Sequence, residues 1–254
     1  MADEDPRGLS GRCGIAVLII VIAAISATTI LYAAGSTQEN SPTGSNGLAT
    51  ADGQIALPAP DHKSGSTLDY AMEHRRSSRS YLNESISPET LSLILWSAQG
   101  ITDPASGKRT APSAMHTYPI TLYMAVNNVT GVSPGMYTYD PVTHSISRYL
   151  DAAGKDAVLE AMGQRQVFSA PVTIILSGNS TVFTEKGQSS ETALRHICLE
   201  AGHIVQNILL METSREMAGV PFTGFNSTAV DEQLGLTGGH HVVYAVTAAY
   251  PADR

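Results

Sequence analysis

Three short stretches of this chain concentrate residue types that can hold or tune a ligand. His74-Arg-Arg-Ser-Ser-Arg79 places the guanidiniums of Arg75, Arg76 and Arg79 and the hydroxyls of Ser77 and Ser78 within six residues. Arginine forks and short hydroxyls give bidentate, charge-assisted hydrogen bonds to a phosphate or an anionic ring edge. The same spacing also suits a solvated basic turn, and spacing alone leaves both open. Arg109-Thr-Ala-Pro-Ser-Ala-Met-His116 sets Ser113 in a loop bracketed by Pro112 and Pro119. Gly219-Val-Pro-Phe-Thr-Gly-Phe225 flanks a proline with glycines, where backbone amides can approach a planar ligand closely.

Other chemistries find less support. His196, Cys198 and His203 have the composition of metal ligands, but on one helix His196 and Cys198 point apart and His203 lies about 10 Å further along. They read as part of a core or interface helix, and no metal is expected. His240 and His241 precede a strand and alternate to opposite faces. A serine hydrolase on a nucleophile elbow needs a G-x-S-x-G turn, and none occurs.

The elements that must position these stretches follow from the apolar pattern. Thr67 caps a short helix through His74, with Leu68, Ala71 and Met72 on one stripe. Ser87 followed by Pro88 starts a helix that keeps Leu91, Ile94, Leu95 and Ala98 at helical spacing up to Gly100. Residues 119–126 alternate as a strand, and 135–139 with 145–150 read as a hairpin. A short helix spans about 155–163. Residues 171–177 (PVTIILS) are apolar throughout, as a central strand requires. A long helix spans 191–217, and a last strand spans 241–248. Helices before, between and after a few strands indicate an α+β layer fold rather than a regular βαβ repeat.

Composition bounds the rest. The chain has 254 residues, 43% hydrophobic and 15% charged, which excludes a wholly disordered chain. Fifteen basic against twenty-three acidic residues give a net charge of -8, so no general attraction to nucleic acid or anionic lipid is available. Two cysteines far apart, Cys13 and Cys198, exclude a disulfide framework.

The N-terminal quarter has a different character. Residues 14–34 (GIAVLIIVIAAISATTILYAA) are uncharged over the length needed to cross roughly 30 Å of hydrocarbon. Arg7 and Arg12 precede them and the next basic residue is Lys63, so charge asymmetry places residues 1–13 in the cytoplasm and the rest outside. The expectation is a single-pass signal anchor over 14–34, a cleaved signal peptide being the alternative. Residues 35–65, rich in Gly, Ser and Pro, read as a flexible linker whose end, 55–60, lies extended on a domain of residues 66–254. Four N-x-S/T triplets, at Asn83, Asn128, Asn179 and Asn226, agree with an outside location.

Six motifs in order carry a family resemblance: 75–79; 91–100 (LSLILWSAQG); 109–119 with Tyr123; 135–140; 201–207 (AGHIVQN); and 219–224. Together they resemble the nitroreductase-like flavoproteins, most closely their SagB-type dehydrogenase branch, over about residues 68–250. The resemblance implies an α+β nitroreductase-like fold, a mixed sheet flanked by helices, in a homodimer that holds FMN at the subunit interface. It implies that Arg75, Arg76 and Ser77, with Arg79 beside them, contact the flavin phosphate, ribityl chain and pyrimidine edge. Pro112, Ser113, Ala114 and His116 would approach from the partner chain. Pro221, Thr223 and Gly224 would lie at the ring, with a main-chain amide near the reactive nitrogen. No side chain is assigned as catalytic.

The implied activity is two-electron hydride transfer in a ping-pong cycle, with substrate and donor unassigned and a carrier other than NAD(P)H expected for an extracytoplasmic site. A non-catalytic flavin-binding or sensory module on the same fold is the alternative. The chain departs from the family at Met115, where glycine is common. It also departs at 184–190 and Leu194-Arg195, where azoline-oxidising members carry a basic, tyrosine-rich stretch and a Tyr-Arg pair.

Overall fold

The computed structural model describes residues 50–51 and 53–252. The alternating and apolar runs become β1 (Thr50–Ala51), β2 (Gln54–Ala56), β3 (Ile101–Asp103), β4 (Lys108–Arg109), β5 (Ile120–Val126), β6 (Gly135–Asp140), β7 (Ser145–Leu150), β8 (Val172–Asn179), β9 (Pro221–Phe222) and β10 (His240–Ala248). Eight of them form one sheet in the order β1-β2-β7-β6-β5-β8-β10-β9, and β3 and β4 form a separate ribbon. Every strand pairing in the large sheet is antiparallel. The expected mixed sheet is thereby corrected: β5, β6 and β7 follow one another as hairpins, and β8 and β10 enter from alternate ends.

The helices are α1 (Leu68–His74), α2 (Pro88–Gln99), α3 (Ala152–Met162), α4 (Arg165–Ser169), α5 (Thr181–Thr184), α6 (Ser190–Ser214) and α7 (Ser227–Gln233). Their starts are written in short polar side chains. The Thr67 hydroxyl accepts from the Tyr70 amide at 3.3 Å, Ser87 from Thr90 at 3.2 Å, and Ser189 from Thr192 at 3.1 Å. Gly163 ends α3 in the left-handed conformation, with φ 62°.

Strand alternation divides the core into two layers. Leu122, Met124, Ile174 and Leu176 face α2 and α6, while Tyr123, Ala125 and Ile175 face α3 and α7. α6 therefore lies along one face of the sheet with Ile197, Ala201, Ile204, Val205 and Ile208 inward. It leaves Leu194 and Leu199 more than half exposed.

Three expectations change. Of the α1 stripe, only Ala71 is buried; Leu68 and Met72 are each 63% exposed. Gln54–Ala56, read as linker, pairs with β7 because Ile55 and Leu57 have buried side chains to anchor there. The single-pass localisation, with its extracytoplasmic domain, is also corrected: no helix among the described residues is long and apolar enough to cross a membrane. The 14–34 segment itself lies outside the described residues. Two of the four sequon asparagines have structural roles, Asn179 accepting from the Thr181 amide and hydroxyl and Asn226 capping α7.

Candidate functional site

The first and third stretches meet at the C-terminal end of α6. α1 stops at His74, Arg75 caps it, and the chain leaves extended through residues 76–80. The Ser78 amide donates to the Gly219 carbonyl at 3.3 Å, which stitches the arginine segment to the glycine-proline segment. The Tyr81 hydroxyl donates to the Ser78 carbonyl at 2.7 Å and lies 2.6 Å from the Thr247 hydroxyl. Thr247 in turn accepts from the Val220 amide at 3.0 Å. With the Tyr81 proton committed to Ser78, the Thr247 proton must point to Tyr81, so the ring of bonds has one consistent direction. Burial pushes the Tyr81 phenol up to about 12, which keeps that donor in place throughout the ordinary pH range.

A cavity of about 560 Å³ opens here, lined by Arg76, Ser77, Ser78, Met217, Ala218 and Pro251 among others. The Arg76 guanidinium folds onto the Glu73 and Arg75 carbonyls, both at 2.9 Å. Among the described residues no carboxylate pairs with Arg75, Arg76 or Arg79. In a chain of net charge -8, three neighbouring cations without a carboxylate ion pair make this segment locally basic, although Glu216 also lines the cavity.

Glu212, on the last turns of α6, sits beneath this junction and is fully buried. Neither carboxyl oxygen has a hydrogen-bond partner of good geometry. Burial pushes its pKa well above the usual carboxylate range, with the Gly219 amide pulling the other way, which favours the protonated form. Gly219 packs so tightly that a Cβ there would overlap the Thr247 carbonyl oxygen and crowd the Glu212 carboxyl.

The second stretch rides on the middle of α6 instead. The Asn207 amide donates to the Thr110 carbonyl at 3.3 Å. The Tyr118 amide donates to the Ser113 hydroxyl at 2.8 Å, and the Tyr118 hydroxyl accepts from the Arg109 amide at 3.2 Å. The Arg109 guanidinium stacks over the Tyr118 ring, 4.3 Å from its centroid. Met115, His116 and Tyr118 all have positive φ, at 56°, 55° and 45°, a cluster of strained non-glycine backbone. The left-handed backbone at Met115 is a conformation that glycine adopts without cost.

Beneath this loop Glu200 is 3% exposed and its Oε2 has no partner. Burial pushes its pKa up to about 7, opposed by the Ser113 hydroxyl and then by Arg109.

Of the site residues expected from sequence, Arg76 and Ser77 line this cavity; Arg75 and Arg79 lie on the same segment, and Pro221 opens β9 two residues past Gly219, with Thr223 and Gly224 exposed just beyond it. Pro112, Ser113, Ala114 and His116 are not brought to it in the single chain. Their support, Glu200, lies about 18 Å along α6 from Glu212 at about 1.5 Å per residue. Sequence reasoning did not single out Tyr81, Thr247, Glu200 or Glu212. A glutamate on a helix reads as a solvated position unless its buried neighbours are known. His196 packs against the Phe183 ring, with centroids 5.1 Å apart, and Cys198 is exposed.

Comparison with known proteins places this arrangement. The nitroreductase family model matches residues 72–250, nearly the whole described fold. A candidate nitroreductase of Methanocaldococcus jannaschii is 36% identical over 174 residues, 66% of this chain and 84% of that protein. The crystal structure of a candidate nitroreductase from Ralstonia eutropha superposes with a TM-score of 0.69 at 24% identity, covering 85% of this chain and 97% of that one. A candidate NAD(P)H:FMN oxidoreductase from Staphylococcus epidermidis shares the fold with a TM-score of 0.56 at 13% identity, covering 77% of this chain and 92% of that one. From the strand order through the six motifs to the family match, the chain belongs to the nitroreductase family and is an oxidoreductase of that family.

Proposed function

We propose that the chain is a homodimeric, FMN-dependent oxidoreductase of the SagB-type branch that passes two electrons in a ping-pong cycle. The observation that carries this reading is the trio Arg75, Arg76 and Arg79, free of carboxylate ion pairs, on a segment stitched through Ser78 to Gly219. The residues present fit FMN: guanidiniums and Ser77 for the phosphate and the pyrimidine edge, and an exposed proline-glycine backbone for the ring. Bound flavin supplies the hydride chemistry; the chain supplies position, charge and a dry face. Cations at the pyrimidine edge favour a reduced, anionic ligand. The 18 Å separation along α6 supports a site built from two protomers, since one chain does not bring residues 112–116 to the arginines. The outward side of α6, with Leu194 and Leu199 exposed, offers an apolar surface for such pairing.

The test is an absorbance spectrum of the purified protein before dithionite, after it, and after air. A yellow protein that bleaches and recovers is expected. Arg75→Ala with Arg76→Ala should weaken FMN binding on the order of a hundredfold or more, since each lost charge-assisted contact is worth about 1.5–3 kcal/mol. A colourless protein that also refuses added FMN, or a double variant with undiminished flavin, overturns the reading.

A further inference from the structure

A second cavity, of about 450 Å³, opens on the other flank of α1 from the arginines. Leu68 and Ala71 of α1 line it, with Trp96 near the end of α2 and Leu210 and Met211 of α6. Tyr70 and His74 of the same short helix line the arginine cavity instead, and no residue lines both. The two also differ in charge. Arg76 and Glu216 line the first, whereas every residue around the second is uncharged.

The fixed wall of this second cavity is Trp96, the one tryptophan of the chain. A Cβ on Gly100 would overlap the indole, so the missing side chain there is what seats the ring. The His62 ring packs against it as well, with centroids 4.2 Å apart. Thr110 ties this wall to α6: its hydroxyl donates to the Trp96 carbonyl at 3.3 Å, and its own carbonyl accepts from the Asn207 side chain at 3.3 Å. A carbonyl only accepts, so the Asn207 nitrogen is committed there and its oxygen is left over. Among the described residues neither that oxygen nor the Trp96 indole N–H has a hydrogen-bond partner, and neither atom is buried from solvent. One acceptor and one donor therefore stay open on residues that line the cavity.

We propose that this cavity binds an uncharged, planar aromatic molecule of about two fused rings that carries a hydrogen-bond donor and an acceptor on its rim. A charged ligand would give up hydration and meet no counter-charge in the lining. A purely aliphatic chain would cover the indole N–H and the Asn207 oxygen without pairing them. An apolar cavity of about 150 Å³ takes one benzene ring, so this one has room for two rings and their rim groups. The indole and the Met211 thioether suit a flat π surface. The site uses none of the arginines and does not depend on the flavin reading.

The experiment uses the full chain labelled with nitrogen-15, in which Trp96 gives a single indole N–H resonance. The probe is 2-naphthamide, whose carbonyl accepts from an indole and whose amide donates to an Asn oxygen. It should move that resonance downfield and saturate. 2-Naphthoate, the same rings with a negative charge, should bind at least tenfold more weakly. Ser66→Phe, at the exposed rim, should weaken 2-naphthamide binding tenfold or more while the indole resonance still reports a folded chain. Trp96→Phe keeps a ring and loses the N–H, and calorimetry should read a several-fold weaker affinity. Added FMN should not displace the probe. An indole resonance unmoved up to the solubility limit of 2-naphthamide overturns the proposal, as happens if a second protomer fills the cavity. Equal binding of 2-naphthoate, or full affinity in either variant, overturns it too. Displacement by FMN would assign the cavity to the flavin site and overturn it as a separate one.

Discussion

The two ends of the candidate site rest on the same helix and are built on opposite plans. At the C-terminal end of α6, Ser78, Gly219, Val220, Thr247 and Tyr81 close a ring of hydrogen bonds around a backbone junction with no room for a methyl group. In its middle, the 109–118 stretch is held by Asn207 and Tyr118, with three positive φ values, and the buried Glu200 leaves a carboxyl oxygen unpartnered. One end is over-determined and the other is under tension. In the two-protomer flavin site proposed above, the rigid end would hold the cofactor and the strained loop would be the part able to adjust to a second ligand.

That contrast breaks hardest at Gly219. Gly219→Ala forces a Cβ into the Thr247 carbonyl, an atom of sheet backbone that cannot rotate away. The junction between the arginine segment and β10 must open, at a cost of about 3 kcal/mol or more, by analogy with overpacked cores. Urea denaturation should show the loss, and flavin content should fall with it. An alanine variant with wild-type stability would mean that this end is looser than its hydrogen bonds imply.

Glu212 sharpens the contrast through pH. Its folded pKa is raised while the unfolded chain titrates near 4.5, so the native state holds the extra proton between those two values. Stability is therefore complete below the unfolded value and falls as pH rises towards the folded one, by up to about 1.4 kcal/mol per pH unit. Glu212→Gln should remove this slope, so that the variant gains on wild type from pH 5 to 9. Parallel stability curves would show that the carboxyl is ionised and paired after all.

Much of this was legible from sequence where a local rule governs. The caps at Thr67 and Ser87, the hairpin of β6 and β7, and the apolar β8 follow from short-range pattern and came out within a few residues. α4, α5 and α7 are four to seven residues long, too short to show a helical period, and were not anticipated. β2 lay hidden in a stretch of linker composition because its pairing partner is some ninety residues away in β7. Within the site, the arginines and the glycine-proline turn announce themselves by type. Glu200 and Glu212 do not, because what makes each unusual is burial by residues distant in sequence.

The smallest effect tests the claim of tension directly. Met115 adopts φ 56° and ψ 22°, a region that costs an L-residue roughly 1–2 kcal/mol. Its side chain is 50% exposed, so little packing is lost by removing it. Glycine there relieves the strain but gives the unfolded chain about 0.5–1 kcal/mol of added entropy. The balance for Met115→Gly is a gain of at most about 1 kcal/mol, or about 2–4 °C in Tm for a domain of this size. Met115→Val should move the other way, since a β-branched side chain tolerates positive φ least. If glycine instead lowers Tm, the Met115 side chain is holding the loop by contact, and the loop is packed rather than strained.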